Sequence, residues 1–365
     1  MKKLIIALFI AITSLLTSLG AHANLTDDHQ AYLPLITYQI NPIFSTQFIV
    51  DNENGRMFAG GFLDEETPVI FTVNNEGTVI GWTETVGRFN YEPTNDWLLV
   101  DTPNGWLKVL NATKGDLLWE VPLSPHSGIY EMDPLFDEYT WHSNPSPQYD
   151  KTNGQIYYFR DHQIGAIDSA TQTILGFHAY ELERESCGDI LESHAPIVRA
   201  DYDQSARLLY ISFLVYTCTP WRNHTLLVHD VSTGTELHRH DVRQNHWFVA
   251  VEGNLYVVFT DRFNNGERIR LEQGEVTYTE NISQASEYAW ASQPFYDSQR
   301  NKLYQANSSE LVVVNPETME AETSSTIALE GELIGYSESA DAFFFLQNDS
   351  RTLIKWEATN IFPQP

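Results

Sequence analysis

The stretch Asp203–Glu236, DQSARLLYISFLVYTCTPWRNHTLLVHDVSTGTE, decides how the rest of the chain is read. An acidic turn leads into an apolar run, Leu208 to Ile211. After a polar loop, a second apolar run, Thr225 to His229, closes on Asp230-Val231-Ser232-Thr233-Gly234. Asp at the head of such a turn accepts backbone N–H bonds, and Gly at its end takes the positive φ that a tight hairpin needs. The stretch reads as one antiparallel sheet unit.

The unit recurs along the chain. Its opening half appears at Asp51–Phe58, Asn95–Leu99, Asp150–Tyr157, Asp203–Tyr210, Glu252–Tyr256, Asp297–Tyr304 and Glu338–Phe345. The closing half follows each time, at Val73–Gly77, Leu110–Gly115, Ile167–Thr171, Asp230–Gly234, Leu271–Gly274, Val314–Thr318 and Trp356–Asn360. Helical periodicity is almost absent, and short apolar runs between turn residues are the all-β signal. Units of about forty to fifty residues with four short strands each predict a single β-propeller of seven four-stranded blades. The last unit lacks chain for an outer strand, and the strand-like Leu35–Ile40 belongs to no other unit, so it is expected to complete that blade and close the ring. An eighth blade would have to come from Ser124–Ser146.

The turns resemble those of the YVTN-type and quinoprotein-like propeller families. Asp230–Gly234 matches the D-x-x-T-G turn, and Asn111–Trp119, NATKGDLLW, is similar to the quinoprotein D-A-x-T-G-x-x-x-W repeat with Asn in place of the first Asp. The resemblance implies the propeller architecture over Phe48–Thr359. These motifs encode turns and packing, and the chain has no adjacent Cys pair of the kind that caps a bound quinone, so no cofactor is favoured.

Residues 1–23 read as a secretory signal: Lys2 and Lys3, an apolar run from Leu4 to Leu19, and the small-x-small site Ala21-His22-Ala23. A propeller domain over 24–365, periplasmic or secreted, is then expected. No later stretch is long and apolar enough for a membrane-spanning helix. The formal net charge is −28, and removing Lys2 and Lys3 takes it to −30. That charge disfavours nucleic acid, because phosphate binding needs Lys and Arg. Cys187 and Cys218 are the only cysteines and, in an exported chain, a candidate disulfide.

Chemistry is expected where the loops between second and third strands meet those crossing to the next blade: 61–68, 124–147, 181–196, 217–224, 261–268 and 282–293. The longest, from Ser124, carries His126, Glu131, Asp133 and His142, and Glu192 and His194 lie on the 181–196 loop. His and carboxylates supply both metal ligands and proton transfer, so these six are the candidates for a channel-mouth enzyme, a metal-assisted lactonase or lyase or a quinoprotein-like oxidoreductase. The competing reading is a lid packed by its own aromatics. A groove for a protein, carbohydrate or small-molecule ligand would use Tyr139, Trp141, Trp221, Arg222, Tyr288 and Trp290. If the Val231–Gly234 turn sets an in-register hairpin, His229, Glu236, His238 and His240 share one face, a further candidate metal set with adventitious surface His as the alternative. No G-x-S-x-G, H-E-x-x-H, phosphate-binding glycine loop or EF-hand loop is present. A binding or scaffolding module is the resulting expectation, with the enzyme as the alternative.

Overall fold

A computed structural model describes residues 43–63, 67–123, 145–160, 162–180, 197–216, 222–242, 246–260, 266–282, 294–306, 310–326, 331–347 and 352–361. They form seven antiparallel sheets, each a meander of strands consecutive in sequence. Blade 1 holds β1 (Ile43–Asp51), β2 (Arg56–Phe62), β3 (Pro68–Asn74) and β4 (Val79–Thr83); blade 2 holds β5 (Arg88–Glu92), β6 (Trp97–Asp101), β7 (Trp106–Asn111) and β8 (Leu117–Pro122). Blade 3 holds β9 (Gln148–Asp150), β10 (Gln155–Arg160), β11 (Gln163–Asp168) and β12 (Thr173–Ala179). Blade 4 holds β13 (Ile197–Asp203), β14 (Leu208–Tyr216), β15 (Arg222–Asp230) and β16 (Thr235–Val242). Blade 5 holds β17 (His246–Val251), β18 (Asn254–Thr260), β19 (Gly266–Glu272) and β20 (Glu275–Ile282). Blade 6 holds β21 (Phe295–Asp297), β22 (Lys302–Ala306), β23 (Glu310–Val314) and β24 (Ala321–Thr326). Blade 7 shows β25 (Gly331–Ser337), β26 (Ala342–Gln347) and β27 (Leu353–Glu357), followed by the short helix α1 (Ala358–Ile361).

Neighbouring blades meet along their first strands, β13 against β9 and β17 for example, so these strands surround the axis. The ring closes: β1 packs on β5 and on β25. The Glu338 amide donates to the Asn52 side chain at 2.9 Å, and Lys355 Nζ reaches Glu76 at 3.2 Å. Leu35–Ile40, expected to close the ring, lies outside the described residues, as does the signal segment 1–23. Blades 2 and 3 pack directly on each other through Leu99 and Val109 against Ile156 and Tyr158, which leaves no room between them for an eighth sheet. No helix among the described residues is long and apolar enough to cross a membrane.

Two repeated devices build the ring. The first strand of most blades ends on a buried polar residue at the turn: Asp51, Glu92, Asp150, Asp203, Asp297 and Ser337. Burying a carboxylate is costly unless its lone pairs are filled. Asp150 accepts from the Thr152 and Asn153 amides, the Asn153 side chain, Gln204 and the Tyr157 hydroxyl. Asp297 likewise takes the Gln299 and Arg300 amides, the Arg300 guanidinium and the hydroxyls of Tyr304 and Tyr336. One step before that residue, Tyr91, Tyr149, Tyr202, Tyr296 and Tyr336 each pack on an aromatic ring of the preceding blade. The pairs are Phe58–Tyr91 (5.0 Å), Trp97–Tyr149 (5.7 Å), Tyr157–Tyr202 (5.7 Å), Tyr256–Tyr296 (6.1 Å) and Tyr304–Tyr336 (4.8 Å). Such pairs add about 0.5–1.5 kcal/mol each beyond the area they bury. Five of the seven interfaces are locked in this way.

Strand direction gives the ring two unlike ends. Every first strand runs to the end where the tight turns lie, each turn held at one residue or more of positive φ, among them Gly55, Asp96, Gly154 and Arg207. The connections between second and third strands, and those between blades, all emerge at the other end. Between β8 and β9 that connection spans 123–147, and between β12 and β13 it spans 180–196.

Candidate functional site

His126, Glu131, Asp133, Tyr139, Trp141 and His142 lie outside the described residues, as do Cys187, Glu192, His194, Cys218, Trp221, Tyr288 and Trp290. Arg222 opens β15, opposite Tyr216. The His229 set is described, and its members point to different blades. His229 pairs with Glu236, but the ladder slips there, so that His238 stands opposite Val228 and His240 opposite Leu226. The extra residue is Leu237, and one added residue reverses which face a strand presents. The same slip occurs in the outer hairpins of blades 1 to 6, so the in-register assumption fails for the whole repeat. His229 therefore faces blade 3, where the Tyr180 hydroxyl meets its Nδ1 and the His178 ring lies 5.7 Å away. His238 and His240 face blade 5, with His240 Nε2 2.9 Å from the Gly274 carbonyl oxygen. Burial, and next the neighbouring His178, push the His229 pKa down to about 4. Among the described residues, no three His, Cys, Asp or Glu side chains converge as metal ligands.

The polar groups that do converge lie on the axis. Gln47, Arg88, Ser146, Arg199 and Trp247 each stand four residues before the end of the turn-side run of their blade, at Asp51, Glu92, Asp150, Asp203 and Val251. Equal spacing from a common end puts them at one level around the channel. A hydrogen bond that skips a blade supports it. Gln47 of blade 1 donates to the Ser146 hydroxyl of blade 3 at 3.0 Å and to the Phe89 carbonyl at 2.8 Å. Arg88 of blade 2 acts electrostatically on Arg199 of blade 4. Two positions nearer the turn end, Asn90 donates to Gln148 at 3.2 Å.

Arg199 lies with its guanidinium carbon 3.5 Å from the centre of the Trp247 ring, a stack across the blade 4–blade 5 interface. It has no hydrogen bond or ion pair among the described residues. Burial, and then the charge of Arg88, push its pKa down to about 9. The acid next along the same strand face, Asp201, does not pair with it. Asp201 accepts instead from the Ala250 amide at 2.7 Å and the Tyr202 amide at 2.9 Å. Burial outweighs those two bonds and, with Asp203 beside it, pushes the Asp201 pKa up to about 7. Behind this pair, on β14, the buried hydroxyls of Tyr210 and Ser212 have no protein partner. Ser212 is the residue directly opposite Arg199 in the ladder.

This interface also breaks the repeat. Ala250 stands where five other blades have Tyr, and Val251 where most have a buried acid. Asp203 of blade 4 substitutes for that acid by accepting from the Gly253 amide. A separate open cleft of about 400 Å³ lies between blades 1 and 2 at the connection end, lined by Glu84, Thr85, Thr102, Asn104 and Lys108 among others. It carries one charge of each sign and no convergent set. No loop or motif in the sequence marks the axial level. Its signal was present: aligned on the turn, the first strands place Gln, Arg, Ser, Arg and Trp at one position.

Seven blades packed side by side around a polar axis define a seven-bladed β-propeller. The fold is similar to the crystal structure of BamB from Moraxella catarrhalis, at 12% identity and a TM-score of 0.53 over 84% of this chain and 83% of that one. It is also similar to the WD40 domain of Toxoplasma gondii coronin, at 9% identity and a TM-score of 0.59 over 86% of this chain and 82% of that one. No protein-family model matches the chain, and no curated protein matches it in sequence. At these identities the likeness establishes the architecture, since function resides in sites grafted on a fold.

Proposed function

We propose that the protein is an exported propeller that serves as a ligand- or protein-binding scaffold, its partner approaching the connection end over the mouth of the channel. One observation carries the reading: the two ends of the ring are built unequally. At the turn end the buried acids and backbone amides satisfy each other. The connection end carries every long crossing, and polar and cationic side chains stand on the axis of the ring. Long connections concentrate function because ordering them must be repaid by something they do. A periplasmic or secreted location rests on the leader-like residues 1–23, and a disulfide between Cys187 and Cys218 would fasten the loops at this end.

Site-specific photo-crosslinking tests the reading. A benzophenone side chain replaces exposed Asn104 at the connection end or exposed Lys151 at the turn end. Adducts are expected from position 104 alone; adducts confined to position 151 would reverse the assignment. Mass spectrometry of the mature protein should place its first residue at Asn24.

The alternative reading, an enzyme at the channel mouth, is favoured by one group. Asp201, with a pKa near neutrality beside an arginine, has the makings of a general acid–base residue.

A further inference from the structure

We infer that the channel level formed by Arg199, Arg88 and Trp247 is a binding site for a carboxylate, which enters along the axis from the connection end. The inference rests on the scaffold reading above and names the chemistry its channel would recognise.

Arg199 is the carrier of the argument. In a chain with 49 acidic residues against 21 Lys and Arg, an arginine inside the fold would be expected to hold a carboxylate. The three fully buried arginines do so or find an amide oxygen: Arg56 holds Asp51 and Asp96, Arg160 holds Asp101, and Arg268 bonds Gln305, whereas Arg199 is half-buried. Among the described residues Arg199 has only the face of an indole. Stacking fixes the guanidinium plane and leaves its N–H edge directed away from the ring, the geometry that receives a carboxylate through two parallel bonds. The nearest acid on the strand, Asp201, is held by two backbone amides, which keeps it from neutralising Arg199 internally.

A second arginine makes the case stronger. Arg88, two blades away, shares the channel level and acts on Arg199 with like charge. Both arginines carry positive charge, so an anion bound at this level would be attracted by each of them. The remaining partners on the level, Gln47 and Ser146, bring an amide and a hydroxyl. Departure from the repeat falls at the same place: Ala250 in place of Tyr, and the hydroxyls of Tyr210 and Ser212 without protein partners. Of the two seams that lack the tyrosine pair, between blades 4 and 5 and between blades 7 and 1, the first carries the stacked arginine, and a broken local rule marks a candidate site.

Calorimetric titration of the purified protein with succinate, with C-terminally amidated hexaglutamate and with inorganic phosphate tests the site. Saturable binding of succinate identifies a free acid as ligand, and saturable binding of hexaglutamate alone identifies side-chain carboxylates of a partner. In either case Arg199→Gln and Arg88→Gln should each weaken binding at least about tenfold, the loss expected for a charge-assisted hydrogen bond. Arg239→Gln, which removes an exposed ion pair with Glu236 on the outer rim, should leave affinity unchanged. The unliganded Arg199→Gln and Arg199→Met proteins should melt at or above the wild-type temperature. Absence of saturable carboxylate binding overturns the inference, and so does binding of phosphate alone. Equal affinity in the Arg199 variants, or lower melting temperatures in both, would do the same. Crosslinks from position 104 without carboxylate binding would sink this site and leave the scaffold reading standing.

Discussion

The interface between blades 3 and 4 and the interface between blades 4 and 5 share one sheet and differ in almost everything else. On one side Tyr157 packs on Tyr202, and the Tyr157 hydroxyl bonds Asp150. His229 sits buried against Tyr180 on the same side. On the other side Tyr210 meets no tyrosine among the described residues, its hydroxyl has no partner, and a stacked arginine stands in place of the lock. The difference teaches that ring stability and ring chemistry are assigned to separate seams. The locked seam carries a ring-on-ring pair even though the Tyr202 hydroxyl has no partner, while the open seam lacks that pair and leaves the Tyr210 and Ser212 hydroxyls unpartnered.

The comparison can be broken first at the locks. Tyr336 packs on Tyr304 and Phe343 and bonds Asp297 and Asp341, so Tyr336→Ala should destabilise the fold by about 4 kcal/mol in chemical denaturation. A loss under about 1 kcal/mol would mean that the aromatic pairs are not what holds the blades.

The next effect is on pH, and it has opposite signs at the two seams. His229 is neutral in the fold down to about pH 4, whereas an unfolded His titrates at 6.5. Its contribution is complete above pH 6.5 and is lost as pH falls to about 4, amounting to roughly 3 kcal/mol. His229→Gln should flatten that acid limb. Asp201 is an acid with a raised pKa, so its contribution is complete below 3.8 and lost as pH rises through about 7. Asp201→Asn should therefore gain stability relative to wild type between pH 4 and pH 7. Parallel pH–stability curves would contradict the assignment.

The smallest effect is the most discriminating. Tyr304→Phe deletes a hydroxyl that donates to Asp297 at 3.1 Å and should cost about 1 kcal/mol. Tyr210→Phe deletes one with no partner and should be neutral or stabilising by about 1 kcal/mol. Equal losses would show that the two seams do not differ.

Much of the architecture was legible because turn chemistry is local. Asp230 and Gly234 predicted a tight turn, and Asp230 does accept the Ser232 amide while Gly234 takes a φ of 70°. The seven-blade count followed from repeating such turns. What the turns could not convey was register. The slip at Leu237 depends on how the outer strand must coil away from its neighbour, and no residue announces it, so the histidines were placed on one face. The channel level was missed for another reason. Arg199 and Arg88 lie on strands of different blades, and only the ring arrangement puts them at one level on the axis. A charge inside an apolar strand reads in isolation as an exposed face.

The seam between blades 7 and 1 joins residues 286 and 279 positions apart, through Asn52–Glu338 and Glu76–Lys355. Blades 1 and 2 are linked across only 42 positions, between Gln47 and Phe89. By chain statistics the longer closure costs only about 2 kcal/mol more. The penalty is in time rather than energy: the Val50 face of blade 1, which meets Gly335, stays uncovered until β25 exists. During synthesis the ring thus works as a proofreading step, because a chain stopped before blade 7 would present an open arc with two bare flanks to proteases and chaperones.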